Sequence, residues 1–322
     1  MPTTAAASTS DLNNPSIQRD VNNPHLPTAG VVDMLRSNGA KPNALLLEPG
    51  IKTQIVAARE CADKALELGG YQEAIKQYDK IISLDPRDAK AYAERGELLL
   101  TQSYNGDVTK EKMRDDVRSA IADYTKAIEL DPKRAEFFAG RAEAKRYRGT
   151  DKDAASPDFA GAIADYSKAI ELEPLNTGLF KMRAVVKDCN GQNDEAIKDM
   201  NRAVEINPKD ANNYTARGDI FRSGGKFKQA CDDYSQALKI NPTNPDPWHF
   251  LSETKLRCGD WKGCVEDGTK YLLAVGDPTS IASAAHVLSR GAQEFAANGE
   301  LENAAIAAKF ASVLTSHSHK RH

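Results

Sequence analysis

The sequence carries no excess of basic charge. Its 322 residues contain 43 Lys and Arg against 46 Asp and Glu, which gives a formal net charge of −3 and a pI of about 6.1. Domains that hold nucleic acid usually have a clear basic excess, so we do not expect nucleic acid as a partner. Strong long-range steering of a charged partner is not indicated either.

Long apolar runs and paired cysteines are also missing. No stretch reaches the ~18 apolar residues that a membrane span needs, and the first residues lack the basic and apolar parts of a secretory signal. The five cysteines, Cys61, Cys189, Cys231, Cys258 and Cys264, form no CxxC motif. We therefore expect reduced, mostly buried thiols rather than a disulfide framework. The predicted location is cytoplasmic, and export by a route that needs no signal peptide stays open.

Catalytic and cofactor motifs are absent as well. The sequence has no GxGxxG or GxxxxGK[ST] phosphate loop, and its histidines belong to no recognisable nucleophile–base or metal-ligand set. We predict a disordered tail over residues 315–322, for which weak binding of a transition metal through its histidines is the alternative. The sequence thus predicts no enzyme activity, no metal and no cofactor.

The first 50 residues lack the aromatic side chains that a folded core uses. No Phe, Trp or Tyr precedes Tyr71, and six prolines lie between Pro2 and Pro49, so this segment cannot bury enough surface to order itself. We predict a disordered arm over residues 1–50, with a short helix at 28–38 where several apolar residues follow Thr28. The alternative is a docking motif for a partner or for the protein's own groove.

What the sequence does contain is a repeated pattern of alanine, tyrosine and proline. In five segments an Ala is followed by a Pro 12 residues later. The segments are 74–86, 120–132, 162–174, 196–208 and 230–242. Their prolines are separated by 46, 42, 34 and 34 residues, and a period of about 34 residues is a signature of repeated helix pairs.

Small residues recur where the two helices of a pair would cross. With the Pro numbered 32 in a 34-residue frame, position 8 is small in six repeats: Ala62, Gly96, Ala142, Ala184, Gly218 and Ser252. Small side chains let two antiparallel helices approach closely. The Pro ends the second helix because it lacks an N–H and restricts the residue before it. Since one pair cannot bury its apolar face alone, neighbouring pairs must stack.

This pattern resembles the tetratricopeptide repeat (TPR) family. The resemblance implies an all-α fold, a right-handed superhelical solenoid of stacked antiparallel helix pairs over residues 51–314. We predict repeats at about 55–88, 89–134, 135–176, 177–210, 211–244 and 245–278, followed by a degenerate capping pair at 279–314. Polar insertions at 103–116 and 149–158 are predicted as surface loops. A recognition edge or, for one of them, a helix extension is the alternative.

Arginine recurs at position 7 of the repeat and aspartate at position 23. The family often has Leu at position 7, which suggests a basic ladder, but the first repeat lacks both charges together and has Cys61 and Gln77. We therefore predict structural ion pairs within each repeat, because the planar guanidinium meets a carboxylate through two N–H groups. If each arginine pairs with the aspartate of its own repeat, Asp267 is the one aspartate at position 23 that has no arginine to pair with. The predicted pairs are Arg95–Asp123, Arg141–Asp165, Arg183–Asp199 and Arg217–Asp233.

In this family the first helix of each repeat lines a concave groove, which implies a set of partner-binding positions here. Mapped onto this chain they are Arg59, Asp63, Lys90, Glu94, Glu97, Glu136, Glu143, Lys181, Asn212, Asp219, His249 and Glu253. Position 9 is acidic in five of six repeats, so the groove leans acidic and favours a partner segment with Lys or Arg. Co-chaperones of this family grip a terminal carboxylate with a set of Lys, Asn and Arg that no window of three repeats supplies here.

These features together predict a non-enzymatic adaptor that binds protein or peptide segments in the groove and is not a carboxylate-clamp co-chaperone. The alternative is a regulator or exported effector that uses the N-terminal arm as its docking or delivery signal. A third hypothesis is an enzyme appended to the repeats. It is disfavoured because no part of the sequence remains for a catalytic domain once the repeats and the arm are assigned.

Overall fold

The computed structural model describes residues 48–105, 109–147 and 158–318, which form fourteen α-helices and no strand. The predicted all-α fold class is confirmed. The helices are α1 (Pro49–Glu67), α2 (Tyr71–Leu84), α3 (Ala89–Asn105), α4 (Lys110–Leu130), α5 (Ala135–Tyr147), α6 (Phe159–Leu172), α7 (Thr177–Cys189), α8 (Asn193–Ile206), α9 (Ala211–Ser223), α10 (Phe227–Ile240), α11 (Asp246–Arg257), α12 (Trp261–Val275), α13 (Pro278–Ala297) and α14 (Leu301–Ser318).

Successive helices pack against each other as hairpins. The hairpins are α1–α2, α3–α4, α7–α8, α9–α10, α11–α12 and α13–α14. The second helix of one hairpin also packs on the first helix of the next, as α2 does on α3 and α8 does on α9. The second helices α2, α8 and α10 therefore bury one face within their hairpin and another against the next one. The chain divides into two compact units, residues 1–140 and 141–322, and the division falls inside α5.

The hairpin turns depend on glycine at position 15. Gly69, Gly191, Gly225 and Gly259 have φ between 72° and 78°, a left-handed conformation that other residues adopt only with strain. At the first of these turns the next residue closes the helix, because the Gly70 N–H donates to the carbonyl of Ala65 at 2.7 Å. These turns end the first helix and reverse the chain within two or three residues.

Proline ends the second helix of each regular pair. α2 ends at Leu84, two residues before Pro86, and α10 ends at Ile240, two residues before Pro242. The residue between them is extended, with ψ near 88° at Asp85, because the Pro ring excludes the helical conformation of its predecessor.

The interior of the α9–α10 hairpin consists of small residues packed around one large ring. In the fifth repeat Ala230 and Ala237 are fully buried beside Tyr234. A methyl group placed on Gly218 would lie 2.7 Å from the Tyr234 ring, so the close approach of α9 and α10 requires glycine at that point. The close crossing that was expected at position 8 is present here.

The insertion at 103–116 mostly lengthens two helices. α3 continues to Asn105 and α4 begins at Lys110, so helix extension accounts for the described part of this insertion. The Thr109 hydroxyl caps α4 by accepting from the Lys112 N–H at 3.3 Å, and Lys112 pairs with Asp116 one turn later at 2.7 Å. Most of the second insertion, residues 148–157, lies outside the described residues.

Helical structure extends beyond both ends of the predicted 51–314 range. α1 begins at Pro49 and α14 continues to Ser318; proline suits the first turn of a helix because its missing N–H is not needed there. Leu314 is fully buried, and this anchors the last turns of α14. Residues 1–47, with the helix expected at 28–38, and residues 319–322 lie outside the described residues.

Candidate functional site

The first helices of the fourth to sixth repeats lie side by side. α9 packs against α7 and against α11, so their outer sides form one surface, here called the first-helix face. Five of the residues predicted to bind a partner lie on it: Lys181, Asn212, Asp219, His249 and Glu253. The side chains of Asn212 and His249 are exposed, and the other three are partly exposed.

The centre of this face is a charged cluster around Arg222, consisting of Asp219, Arg222, Tyr234, Phe250 and Glu253. The Tyr234 hydroxyl donates to Asp219 Oδ1 at 2.7 Å and accepts from Arg222 Nε at 3.3 Å. Arg222 Nη1 lies 3.6 Å from Glu253 Oε2, and its guanidinium lies over the Phe250 ring at 5.3 Å from the centroid. The cluster links α9 to the neighbouring α11.

Burial sets the protonation state of the phenol in this Arg222 cluster. Desolvation, followed by the negative charge of Asp219, raises the pKa of Tyr234 far above its usual value. The phenol therefore stays neutral and donates to Asp219 at physiological pH. Two carboxylates then face one guanidinium, and both carboxylate side chains keep about two fifths of their surface exposed (41% and 42%).

The third repeat contains a related cluster with a balanced charge. Arg146 donates to both carboxylate oxygens of Glu143, at 3.1 and 2.5 Å, and the Tyr166 hydroxyl donates to Glu143 at 3.0 Å. Only 17% of the Glu143 side chain and 7% of the Arg146 side chain are exposed. One carboxylate thus meets one guanidinium in a nearly closed contact, unlike the open arrangement around Arg222.

Three of the six predicted site residues in the first unit are paired with each other: Arg59, Lys90 and Glu94. Arg59 Nη2 lies 2.6 Å from Asp88 Oδ2, and its Nη1 donates to Glu94, which Lys90 also approaches at 3.5 Å. Burial alone would lower the pKa of Arg59, but Glu94 and Asp88 raise it above its usual value. Asp63, one turn after Arg59, is exposed.

Two further acidic residues predicted to bind a partner contribute little open charge. Glu136 is buried and pairs with Arg134 at 3.0 Å, and Glu97 is partly buried. Together with Glu143, they make the acidic character of position 9 and its surroundings weaker than the sequence alone implies. For Glu143, the signal that would have revealed this is the arginine three residues later, Arg146.

The position 7 arginines bind the position 23 aspartates of their own repeats. In each pair Nε donates to Oδ2 at 2.7–2.8 Å and Nη2 donates to Oδ1 at 2.6–2.7 Å. This two-point contact is the geometry in which arginine binds a carboxylate most strongly. The pairs are Arg95–Asp123, Arg141–Asp165, Arg183–Asp199 and Arg217–Asp233.

Each of three arginines in this row also reaches the preceding repeat, which the sequence reasoning missed. The remaining nitrogen, Nη1, donates to the position 25 residue of that repeat at 2.6–2.9 Å. The acceptors are Asp79 for Arg95, Ser167 for Arg183 and Asn201 for Arg217. Position 25 carries a polar side chain in each case, and this recurrence is the signal that could have found it. The arginine therefore joins three helices of two repeats.

Lysine at position 11 supplies the aspartate row with a second cation. Lys145 lies 2.8 Å from Asp165, and Lys187 lies 2.8 Å from Asp199. In the sixth repeat Lys255 Nζ lies 2.6 Å from Asp267 Oδ2 as an ion pair without hydrogen-bond alignment. Asp267, for which the sequence offered no arginine at position 7, therefore pairs with Lys255, which lies one helical turn after position 7.

The described residues hold no arrangement suited to a metal ion. Within residues 48–105, 109–147 and 158–318, no group of three or more His, Cys, Asp or Glu side chains could hold one. No helix in the same part of the chain is long and apolar enough to cross a membrane.

Comparison with known proteins gives the same repeat in three places. A TPR repeat model matches residues 218–251, and tetratricopeptide repeat models match residues 62–110 and 187–210. No curated protein matches the chain.

Solved structures with the same fold include a tetratricopeptide repeat protein from Parabacteroides merdae. It has 13% identity and a TM-score of 0.56, and the match covers 83% of this chain and 98% of that one. Pseudomonas aeruginosa pilF has 14% identity and a TM-score of 0.51, with 69% and 92% of the two chains covered. At these identities the likeness concerns the fold.

Proposed function

Because this chain is a tetratricopeptide repeat protein, we propose that it is a non-enzymatic scaffold that binds a segment of another protein on the first-helix face. Repeats of this family are protein–protein interaction modules. They present side chains from successive first helices to a partner. The adjacent packing of α7, α9 and α11 supports this use, since it joins three repeats into one surface.

The single observation that carries the proposal is the charge of the Arg222 cluster. Asp219 and Glu253 both face Arg222 and both remain partly exposed, so the cluster presents two carboxylates at the surface of the first-helix face. A lysine or arginine side chain of a partner would be attracted to them. Because the carboxylates already have some burial, such a contact would be screened less than one on an open surface.

The aromatic and aliphatic surroundings suit the stem of such a side chain. The Phe250 ring of the cluster lies under the Arg222 guanidinium, and His249 stacks on Tyr271 with 5.0 Å between ring centroids. Long basic side chains bury their methylene groups on apolar surface while the charged end reaches a polar partner. A terminal carboxylate would meet Asp219 and Glu253 instead of donors, which disfavours a clamp-type co-chaperone.

The test begins with a random peptide library displayed on phage and selected on the full chain. We expect the selected peptides to contain Lys or Arg. A labelled selected peptide should bind the Asp219→Asn/Glu253→Gln variant about tenfold more weakly, which corresponds to about 1.4 kcal/mol. Asparagine at 219 keeps an acceptor for the Tyr234 hydroxyl, so the fold should be retained. Fluorescence anisotropy at two salt concentrations measures the loss.

The matched control is Glu143→Gln, which removes a carboxylate that Arg146 already balances. Its peptide affinity should stay within about twofold of the unchanged protein, a difference below about 0.5 kcal/mol. Peptides without basic residues, or equal losses in both variants, would contradict the basic preference. Binding that survives a steric block by Asn212→Trp would place the partner elsewhere on the protein.

Three further statements remain predictions. The cytoplasmic location and the absence of nucleic acid among the partners rest on the sequence arguments above. The alternative role as a regulator or exported effector depends on the N-terminal arm, which lies outside the described residues. Deleting residues 1–47 and repeating the peptide binding would show whether the arm changes the affinity of the first-helix face.

A further inference from the structure

The cysteines are more accessible than the sequence suggested. None of the five is in a disulfide; Cys61, Cys189 and Cys258 are exposed, and Cys231 and Cys264 are partly exposed. The expectation of mostly buried thiols is therefore wrong, and Cys61, Cys189 and Cys258 are the residues that contradict it most clearly. The fold brings two of them together, Cys231 of α10 and Cys258 at the end of α11.

The register of α10 and α11 places these two cysteines opposite each other. Leu238 of α10 and Leu251 of α11 belong to one buried cluster, and the two helices run antiparallel because a short turn joins them. Cys231 precedes Leu238 by seven residues, and Cys258 follows Leu251 by seven. Seven residues span about 10.5 Å and nearly two full turns of helix. The two cysteines therefore meet at the same level and on the facing sides.

The electrostatic environment of Cys231 agrees with this register. Cys258 and Lys255, one turn before Cys258, both act on the Cys231 thiol. Burial, strengthened by the neighbouring Cys258, raises the pKa of Cys231 to about 11. Cys231 packs against the Leu238–Leu251 cluster, whereas Cys258 is exposed.

We propose that Cys231 and Cys258 form a reversible disulfide that joins the fifth repeat to the sixth. The modification takes a low-molecular-weight disulfide, such as oxidised glutathione, as its oxidant. It holds α10 and α11 at a fixed separation, and these helices belong to the same two repeats that Arg222 links through Glu253. The bond is a modification site independent of any partner of the first-helix face.

The chemistry proceeds in two exchange steps. The Cys258 thiol loses its proton to solvent, and its thiolate attacks one sulfur of oxidised glutathione, which releases glutathione thiolate and leaves a mixed disulfide. The Cys231 thiolate then attacks the Cys258 sulfur and releases the second glutathione. Two protein thiols are oxidised, one glutathione disulfide is reduced to two thiols, and the two protons end on the released thiolates. Cys258 reacts first because it is the exposed partner.

The test is a peptide map of the full chain after incubation with oxidised glutathione. Trypsin cleaves after Lys228, Lys239, Arg257, Lys262 and Lys270, so Cys231, Cys258 and Cys264 fall in the separate peptides 229–239, 258–262 and 263–270. We expect a cross-link between 229–239 and 258–262 that reductant removes. The melting temperature should rise by several degrees with it, because a cross-link restricts the unfolded chain.

Single serine variants distinguish the proposed bond from other products. In Cys231→Ser, Cys258 should stop at the mixed disulfide with glutathione, and the rise in melting temperature should vanish. Cys61→Ser is the control and should form the cross-link like the unchanged protein. A mixed disulfide at Cys258 without any cross-link in the unchanged protein, or a link between 258–262 and 263–270, would overturn the proposal.

Discussion

The fifth and sixth repeats solve the same packing problem with opposite residues. In the fifth, Gly218 at position 8 receives the fully buried ring of Tyr234 at position 24. In the sixth, position 8 is Ser252 and position 24 is Gly268, and a methyl group on Gly268 would lie 3.0 Å from the Ser252 hydroxyl. The two helices of a repeat therefore need one small residue at this crossing, and either helix can supply it.

The ion pair between positions 7 and 23 also differs between the fifth and sixth repeats. Arg217 at position 7 binds Asp233 in the fifth repeat, whereas Leu251 occupies position 7 in the sixth. Asp267 nevertheless remains, buried and paired with Lys255. A buried carboxylate needs a cation, but that cation can come from position 7 or from one turn later. What the two repeats share is a small residue at the crossing and a cation beside the position 23 aspartate, rather than the same residue at each position.

The ring of Tyr234 provides the largest test of this comparison. Tyr234→Ala removes a fully buried side chain that nothing else in the fifth repeat replaces, so we expect a loss of about 4 kcal/mol in the free energy of unfolding. Urea unfolding followed by circular dichroism measures it. Tyr234→Phe keeps the ring and loses only the hydroxyl bonded to Asp219, which should cost about 1 kcal/mol.

A paired substitution sharpens the same point. Gly218→Ser in the Tyr234→Gly background installs the residues of the sixth repeat in the fifth. We expect it to be more stable than Tyr234→Gly alone, because the serine fills part of the space that the ring leaves. If the added serine destabilised the protein further, the crossing would depend on more than the summed size of these two side chains.

The position 7 arginine gives the next largest effect. Arg217→Ala leaves Asp233 buried with no cation at position 11 of its repeat, where Phe221 stands, so we expect a loss of about 2 kcal/mol. It also breaks the contact with Asn201 of the preceding repeat. Arg202→Ala is the control, since Arg202 and Glu205 are an exposed pair and should contribute less than about 0.5 kcal/mol. Equal losses of unfolding free energy in Arg217→Ala and Arg202→Ala would contradict a structural role for the position 7 arginines.

The helix pairs were predictable because their signal is local and repeated. The Pro that follows α2 and α10 ends these helices in every context, and the glycines at position 15 reverse the chain by their backbone conformation alone. The Arg217–Asp233 pairing was predictable for a related reason. Both charges recur at fixed positions, and the first repeat lacks both together.

Contacts between repeats that occur only once were not predictable from the sequence in this way. Arg222 acts on Glu253 of the next repeat, and Cys231 meets Cys258, only because α9 and α10 pack in a particular register on α11. Each of these contacts occurs once, so no internal comparison exposes it. The acidic character of the groove was overestimated for a different reason, because neighbouring side chains, such as Arg146 on the helix of Glu143, decide which carboxylates stay open.

Replacement of Lys255 in the sixth repeat has the smallest expected effect on stability. It tests directly whether this lysine takes the place of the position 7 arginine as the cation beside the aspartate. Lys255→Ala removes one of two cations near Asp267, and Lys270 remains 3.2 Å from Asp267 Oδ1. The loss in the free energy of unfolding should therefore be about 1 kcal/mol, half that of Arg217→Ala. Exposed Lys262 provides the control, because its replacement by Ala should change the free energy by less than about 0.5 kcal/mol. In the Asp267→Asn background, which has no charge to balance, Lys255→Ala should lose most of its effect; a loss that persists there would assign Lys255 to packing by its methylene stem instead.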